Sequence, residues 1–126
     1  MTMRTPLKNV RRLGSAKEGA NHFWQQRVTA VANIVLGLFL VWLIANMAGQ
    51  EYETAKSWLA NPLVAIALLL LVASGAFHMR LGMQVIIEDY ISSESSKIVL
   101  LMLNTFFAIA VGLASVFAIF KINFGA

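Results

Sequence analysis

The chain has 126 residues, of which 59% are hydrophobic and only 13% are charged, and it contains no cysteine. Soluble domains carry about 25% charged residues, so this composition excludes an ordinary soluble protein and indicates an integral membrane protein. The absence of cysteine excludes disulfides, thiolate zinc sites, iron–sulfur clusters and covalently attached c-type haem. In a membrane protein the formal net charge of +4 reflects basic residues distributed unequally between the two sides of the bilayer. We therefore predict no nucleic-acid partner.

The N-terminal segment, residues 1–27, is polar and contains six of the ten Lys and Arg residues of the chain. We expect it to form a cytoplasmic basic segment, because positive charge accumulates on that side of a membrane, and to attract anionic lipid. His22 and Arg27 lie one and a half turns apart if this stretch is helical, so both could face an anionic group. Trp24 and Arg27 are equally typical of ordinary interface anchors.

Residues 28–126 are predicted to form an all-α, three-helix transmembrane domain. Three apolar runs are close to the roughly 20 residues that cross a hydrocarbon core, and they predict spans at about residues 28–47, 63–87 and 98–120. With the basic segment in the cytoplasm, three crossings place the C-terminus in the periplasm. Three helices make a thin bundle with much exposed surface, so we also expect a partner subunit.

The connections between the spans carry their own signals. Tyr52, Ala55 and Leu59 follow helical spacing, which predicts a short interfacial helix on the outer side. Asn61-Pro62 indicates a helix start, because Asn caps free N–H groups and Pro is tolerated at the first helical position. The stretch 92–97 is short and rich in serine, which predicts that spans two and three are antiparallel neighbours.

His78 is the residue that most needs a function, because ionisable groups inside a transmembrane segment cost roughly 2.5–3.5 kcal/mol each on insertion scales. Ser74, Gly75 and Gly82 share its helix face at i−4, i−3 and i+4. Such small side chains would give a planar macrocycle the clearance to approach while the imidazole ligates its iron. The alternative is that His78 only hydrogen-bonds to another helix, with glycines for close packing.

Asp89 and Tyr90 close the second span, roughly 16 Å along the helix axis from His78. A tyrosine hydroxyl at the apolar boundary can donate a hydrogen bond to a quinone carbonyl, and a carboxylate beside it can orient the hydroxyl or relay protons. An aromatic-belt tyrosine with a helix-end aspartate is the alternative. Arg80 points about 200° away from His78, and we expect it to snorkel toward the headgroups or to pair with a carboxylate of a partner.

These residues together resemble one family. His22, the stretch Arg27-Val28-Thr29-Ala30, three spans, and His78 followed by Gly82 and Asp89-Tyr90 are similar to the smaller hydrophobic membrane anchor of bacterial succinate dehydrogenase, or complex II. The resemblance covers nearly the whole chain. The pattern His-x3-Gly-x6-Asp-Tyr carries most of it, since the sister anchor of that complex, a cytochrome b556-type protein, has a stretch like that around His22 and Arg27.

The resemblance implies that His78 is an axial ligand of haem b, with the other axial His supplied by the cytochrome b556-type anchor, itself a three-helix protein. It implies that Tyr90 and Asp89 belong to a ubiquinone site and that His22 and Arg27 lie near the haem propionates or the quinone pocket. The flavoprotein and iron–sulfur subunits would dock on the cytoplasmic face of the bacterial inner membrane. The chain itself would catalyse nothing, and the motif assigns no role to Arg80.

Three alternative functions make different demands on the sequence. The anchor of a fumarate reductase, running the reverse reaction, would show the same pattern. A small helical transporter would need a membrane-embedded carboxylate, yet every acidic residue lies outside the three apolar runs. A non-redox scaffold would not need His78 on a face of small side chains.

Overall fold

The computed structural model describes Leu7 and residues 18–125, and within them the chain is entirely helical or connecting. Helix α1 spans Glu18–Met47, α2 spans Tyr52–Leu59, α3 spans Pro62–Tyr90 and α4 spans Glu94–Phe124. Helices α1, α3 and α4 are long and apolar enough to cross a membrane. The all-α class and the three transmembrane helices are therefore confirmed. Five of the six basic residues of the N-terminal segment lie outside the described residues: Arg4, Lys8, Arg11, Arg12 and Lys17.

Each long helix extends beyond the apolar run that predicted it. Helix α1 begins at Glu18, ten residues before residue 28, and α4 begins at Glu94 rather than after residue 97. Helices of about 30 residues measure about 45 Å, against a hydrocarbon core of about 30 Å. Hydropathy marks the part of a helix inside the lipid, while the hydrogen-bonded turns continue into the headgroup layer. The predicted boundary between residues 27 and 28 consequently falls within α1.

The helix ends follow from local chemistry. Asn61 is in an extended conformation and its side-chain oxygen accepts a hydrogen bond from the backbone N–H of Leu63, with Pro62 at the first position of α3. This confirms the predicted helix start. Beyond α1, Gly49 adopts a φ of 78°, a left-handed conformation that glycine takes without steric cost. Between α3 and α4 only three residues, 91–93, connect the helices, so the pair is antiparallel as predicted.

The short helix α2, predicted as interfacial, lies across one end of the three long helices. Trp58 contacts Trp42 of α1 with ring centroids 5.8 Å apart. Asn123 of α4 donates its side-chain N–H to the carbonyl of Leu59, at 3.2 Å. Helix α2 thereby joins the ends of α1 and α4.

Helix α3 is the centre of the domain. It packs against α1 on one side and α4 on the other, whereas α1 and α4 do not approach each other in the described part of the chain. The long helices therefore form a row, and the buried hydrophobic side chains among the described residues are few: Leu43, Ala65, Leu81, Ile87 and Ala108. The two faces of the row are open to lipid or to other subunits.

Candidate functional site

His78 lies half-buried where α3 packs against α1, and its ring is held by a side chain from the neighbouring helix. The Nδ1 atom of His78 is 3.0 Å from the hydroxyl oxygen of Thr29. On the other side of this contact, the Ser74 hydroxyl, one turn before His78, donates a hydrogen bond to the backbone carbonyl of Thr29 at 3.3 Å. Two polar contacts thus fix the position of Thr29 against the helix face that carries the imidazole.

The contacts of the Thr29 hydroxyl favour one tautomer of His78. A hydroxyl has one proton to donate, and Thr29 Oγ1 lies 2.7 Å from the carbonyl of Gln25 and 3.2 Å from that of Gln26. The carbonyl of Gln25 is the nearest acceptor, and donation to it leaves the hydroxyl oxygen to accept from Nδ1–H of His78. In that tautomer Nε2 keeps its lone pair and is the atom that a metal would take.

The small side chains around His78 leave unequal space. A Cβ atom added at Gly75 would meet no other atom within 4 Å. At Gly82 it would contact the amide nitrogen of Gln26 at 3.6 Å, so α1 already occupies part of that clearance. The face of α3 is therefore open at Gly75 and partly covered by α1 at Gly82.

The same face of α1 carries two further amides beside Thr29. The side-chain oxygens of Gln26 and Asn33 are buried and have no hydrogen-bond partner among the described residues. A buried acceptor without a donor is costly, above all in lipid. Together with Thr29 and His78 they form a polar seam, which we define as the side chains of Gln26, Thr29, Asn33, Ser74 and His78.

Tyr90 and Asp89 lie at the far end of α3, where both side chains are exposed. Tyr90 is 81% exposed and borders a groove of about 420 Å³ between α3 and α4. The groove is lined almost entirely by apolar side chains, with Asn104 the other polar residue on its wall. Tyr90 lies twelve residues from His78, about 18 Å along the helix, so the structure keeps these two candidate sites separate.

His22 and Arg27 are both in α1, but no contact within the described residues joins them. The guanidinium of Arg27 lies over the ring of Phe23, 4.7 Å from its centroid, which is a cation–π contact. Phe23 in turn packs edge-on against Trp24, with ring centroids 6.2 Å apart. These contacts resemble an interface anchor, and the joint anion site expected for His22 and Arg27 stays a prediction.

Arg80 lies on the opposite side of α3 from His78, facing α4. Its Nε–H donates to the hydroxyl of Thr105 at 3.3 Å, and its backbone carbonyl accepts from the side chain of Asn104 at 2.9 Å. The side chain therefore crosses to the neighbouring helix. We had expected it to snorkel toward the headgroups or to pair with a carboxylate of a partner.

Sequence reasoning did not identify Thr29 as the partner of His78, although Thr29 belongs to the motif that carries the resemblance. The available signal was a hydroxyl within the first span, two residues after the interfacial Arg27. The pairing of Thr29 with His78 depends on the relative depth of α1 and α3 in the membrane. Residue spacing within one helix gives no information on that depth.

The family described as succinate dehydrogenase/fumarate reductase transmembrane subunit matches residues 1–113. A succinate dehydrogenase hydrophobic membrane anchor subunit from Paracoccus denitrificans is 32% identical over 97% of this chain and 94% of its own length. Proteins with the same name from Rickettsia bellii and Rickettsia conorii are 32% and 33% identical, over 93% and 85% of this chain and 94% and 86% of theirs. No solved structure matches the chain.

The family match covers most of the sequence, and these relatives align over most of their own length. All three are named as membrane anchors, which are non-catalytic subunits. With three transmembrane helices in the structure, the chain is a multi-pass membrane protein, and it belongs to the succinate dehydrogenase/fumarate reductase transmembrane subunit family.

Proposed function

We propose that this anchor subunit holds one axial position of a haem b through Nε2 of His78, the second axial imidazole coming from a separate anchor of cytochrome b556 type. The observation that carries the proposal is the 3.0 Å contact between His78 Nδ1 and the Thr29 hydroxyl. This contact supports the tautomer that a metal ligand needs. The open space at Gly75 also suits a bulky group.

When bound, the haem supplies a one-electron redox centre within the membrane. The protein's own part is to orient the imidazole and to exclude water from it. Thr29 fixes the ring, Ser74 fixes the backbone of Thr29, and the glycines keep the face of α3 accessible. His22 and Arg27, on the first turns of α1, are proposed to lie near the propionates or the quinone pocket.

Ubiquinone is the proposed substrate at the other end of α3. The Tyr90 hydroxyl makes no hydrogen bond within the described residues and stands at the rim of an apolar groove. An apolar wall suits a prenylated quinone, and a phenol at its rim can donate a hydrogen bond to a quinone carbonyl. Asp89, next to Tyr90, would orient the hydroxyl or relay the protons that quinone reduction consumes.

The assembled complex is proposed to transfer electrons from succinate to ubiquinone in the respiratory chain and the tricarboxylic acid cycle. The flavin and the iron–sulfur clusters would belong to two soluble subunits, in keeping with a chain that has no cysteine. They would dock on the cytoplasmic face of the bacterial inner membrane, beside the N-terminus, with the C-terminus in the periplasm. The names of the relatives favour succinate oxidation over fumarate reduction.

A reduced-minus-oxidised spectrum of the tagged chain, gently solubilised with the proteins that accompany it, tests this proposal. We expect an α-band of b type and co-purifying flavoprotein and iron–sulfur subunits. Recovery of those subunits without any haem would retain the docking role and refute the role of His78. Recovery of the chain alone, with neither haem nor partners, would refute both.

Thr29→Val should weaken haem binding in the assembled complex by about 10- to 100-fold, the usual effect of removing a residue that orients a metal ligand. Valine keeps the shape of threonine and loses the hydroxyl that accepts from Nδ1–H. The measurement is the rate of haem transfer from the solubilised complex to an excess of apomyoglobin.

Thr29→Ser is the matched control, because it keeps the hydroxyl and loses only a methyl group. It should hold haem almost as well as the native chain. Equal haem loss from the valine and serine variants would indicate that the methyl group packs the α1–α3 interface and that the hydroxyl has no part in orienting His78.

A further inference from the structure

Arg80 is a cation deep within the apolar part of the domain. It lies four residues, about 6 Å, from the midpoint of α3 toward the α3–α4 connection. Thr105, its hydrogen-bond partner, lies four residues from the midpoint of α4 toward the same connection. Because both residues are at the same depth, the side chain of Arg80 runs across the membrane from α3 to α4 rather than along its normal.

The contacts with α4 fix Arg80 at its base and leave its outer donors available. Thr105 donates its own proton to the carbonyl of Leu101 at 3.0 Å, and its oxygen accepts from Nε of Arg80. A guanidinium has five N–H donors. The four on the two Nη atoms have no hydrogen-bond partner among the described residues.

No described residue of the chain supplies a counter-charge to this guanidinium. Its six acidic residues all lie outside the interior of the spans, at Glu18, Glu51, Glu53, Glu88, Asp89 and Glu94. Glu88, which shares α3, is eight residues or about 12 Å further along the axis, and its carboxylate accepts from Gln84 at 2.9 Å. An arginine at this depth needs an anion or a strong acceptor, so the partner must come from another molecule.

A groove with small residues on its wall lies beside Arg80. A groove of about 350 Å³ runs between α3 and α4, and three alanines, Ala73, Ala76 and Ala108, contribute to its wall beside Arg80 and Thr105. Small residues allow the backbones of transmembrane helices to approach closely. A guanidinium pairs with a carboxylate through two parallel hydrogen bonds, and the Nη atoms are the ones left available for this pairing.

Two other anions are less suitable partners for Arg80. A haem on His78 would lie on the α1 side of α3, whereas Arg80 is hydrogen-bonded to α4, about 200° around the helix. A lipid phosphate would lie about 9 Å further toward the membrane surface, given a hydrocarbon half-thickness of about 15 Å. The hydrogen bond to Thr105 holds the side chain at its own depth.

We propose that the groove at Arg80 docks a transmembrane helix of another subunit, which supplies an Asp or Glu carboxylate to the guanidinium. The charge and depth of Arg80 support this interface, which does not depend on the proposed haem or quinone sites. It gives the open row of helices a defined contact face on the side formed by α3 and α4.

Photocrosslinking in intact membranes tests the interface. A diazirine amino acid replaces Ile109, which borders the groove and is 52% exposed, and mass spectrometry identifies the adduct. We expect a peptide from a transmembrane helix with an Asp or Glu inside its apolar run. Adducts with lipid alone, or with a peptide that has no acidic residue in its span, would overturn the proposal.

The same crosslink is then measured in Arg80→Gln and Arg80→Lys. Truncating one member of a desolvated ion pair weakens binding by tenfold or more, so Gln should reduce the yield by about that factor. Lys keeps the charge but cannot form the two parallel hydrogen bonds, so its yield should lie between those of Gln and the native chain. Removing a charge favours membrane insertion, so a lower crosslink yield in Arg80→Gln would not result from poorer insertion. A diazirine at Leu38 of α1 serves as the control, because its crosslinks should not depend on Arg80. An unchanged Ile109 yield in Arg80→Gln would refute the pairing.

Discussion

His78→Ala should abolish or strongly reduce haem b in the assembled complex. The variant removes the imidazole whose Nδ1 is held by Thr29 and whose Nε2 has no partner in the described part of the chain. Alanine offers no ligand, and neighbouring methionines on α3 are directed to the groove near Tyr90. The haem content per flavin, measured from the reduced-minus-oxidised spectrum, should fall by about tenfold or more.

The second histidine of the chain provides the matched control. His22→Ala removes an imidazole that is proposed to lie near the propionates or the quinone pocket and not at the axial position, so the complex should still contain haem b and show its α-band. A His78→Ala complex with native haem content and spectrum would contradict axial ligation. The contact with Thr29 would then serve helix packing only.

Much of the fold could be predicted from the sequence because its signals are local. The apolar runs indicated three spans, Asn61-Pro62 indicated the start of α3, and the spacing of Tyr52, Ala55 and Leu59 indicated α2. A capping side chain acts within two or three residues, and a span needs only length and hydropathy. The start of α1 at Glu18 was missed because a helix continues beyond the apolar run.

The parts of the site that depend on two helices could not be predicted. The pairing of His78 with Thr29, and that of Arg80 with Thr105, depend on how far each helix is shifted and rotated against its neighbour. A change of one residue in register turns a helical side chain by about 100°. Spacing along α3 correctly placed His78 and Arg80 on different faces, but it did not indicate which helix each face would meet.

Tyr90→Phe should lower the rate of succinate-driven ubiquinone reduction by about tenfold or more, since a positioned proton donor contributes about 10²–10⁴-fold and a neighbouring group replaces part of it. Phenylalanine retains the ring at the rim of the apolar groove and loses only the hydroxyl that would donate to a quinone carbonyl. Succinate oxidation with an artificial dye should be unchanged, because the dye takes electrons before the quinone site.

The chain has only one other tyrosine, Tyr52 in α2, which is 74% exposed at the opposite end of the helices. Tyr52→Phe removes the same hydroxyl from a place that no quinone site is proposed to include, so both activities should stay at the native level. Equal loss of the quinone and dye activities in Tyr90→Phe would instead mean that Tyr90 supports docking of the soluble subunits. Because the dye bypasses the membrane domain, the ratio of the two rates separates a hydrogen bond to quinone from a structural contact.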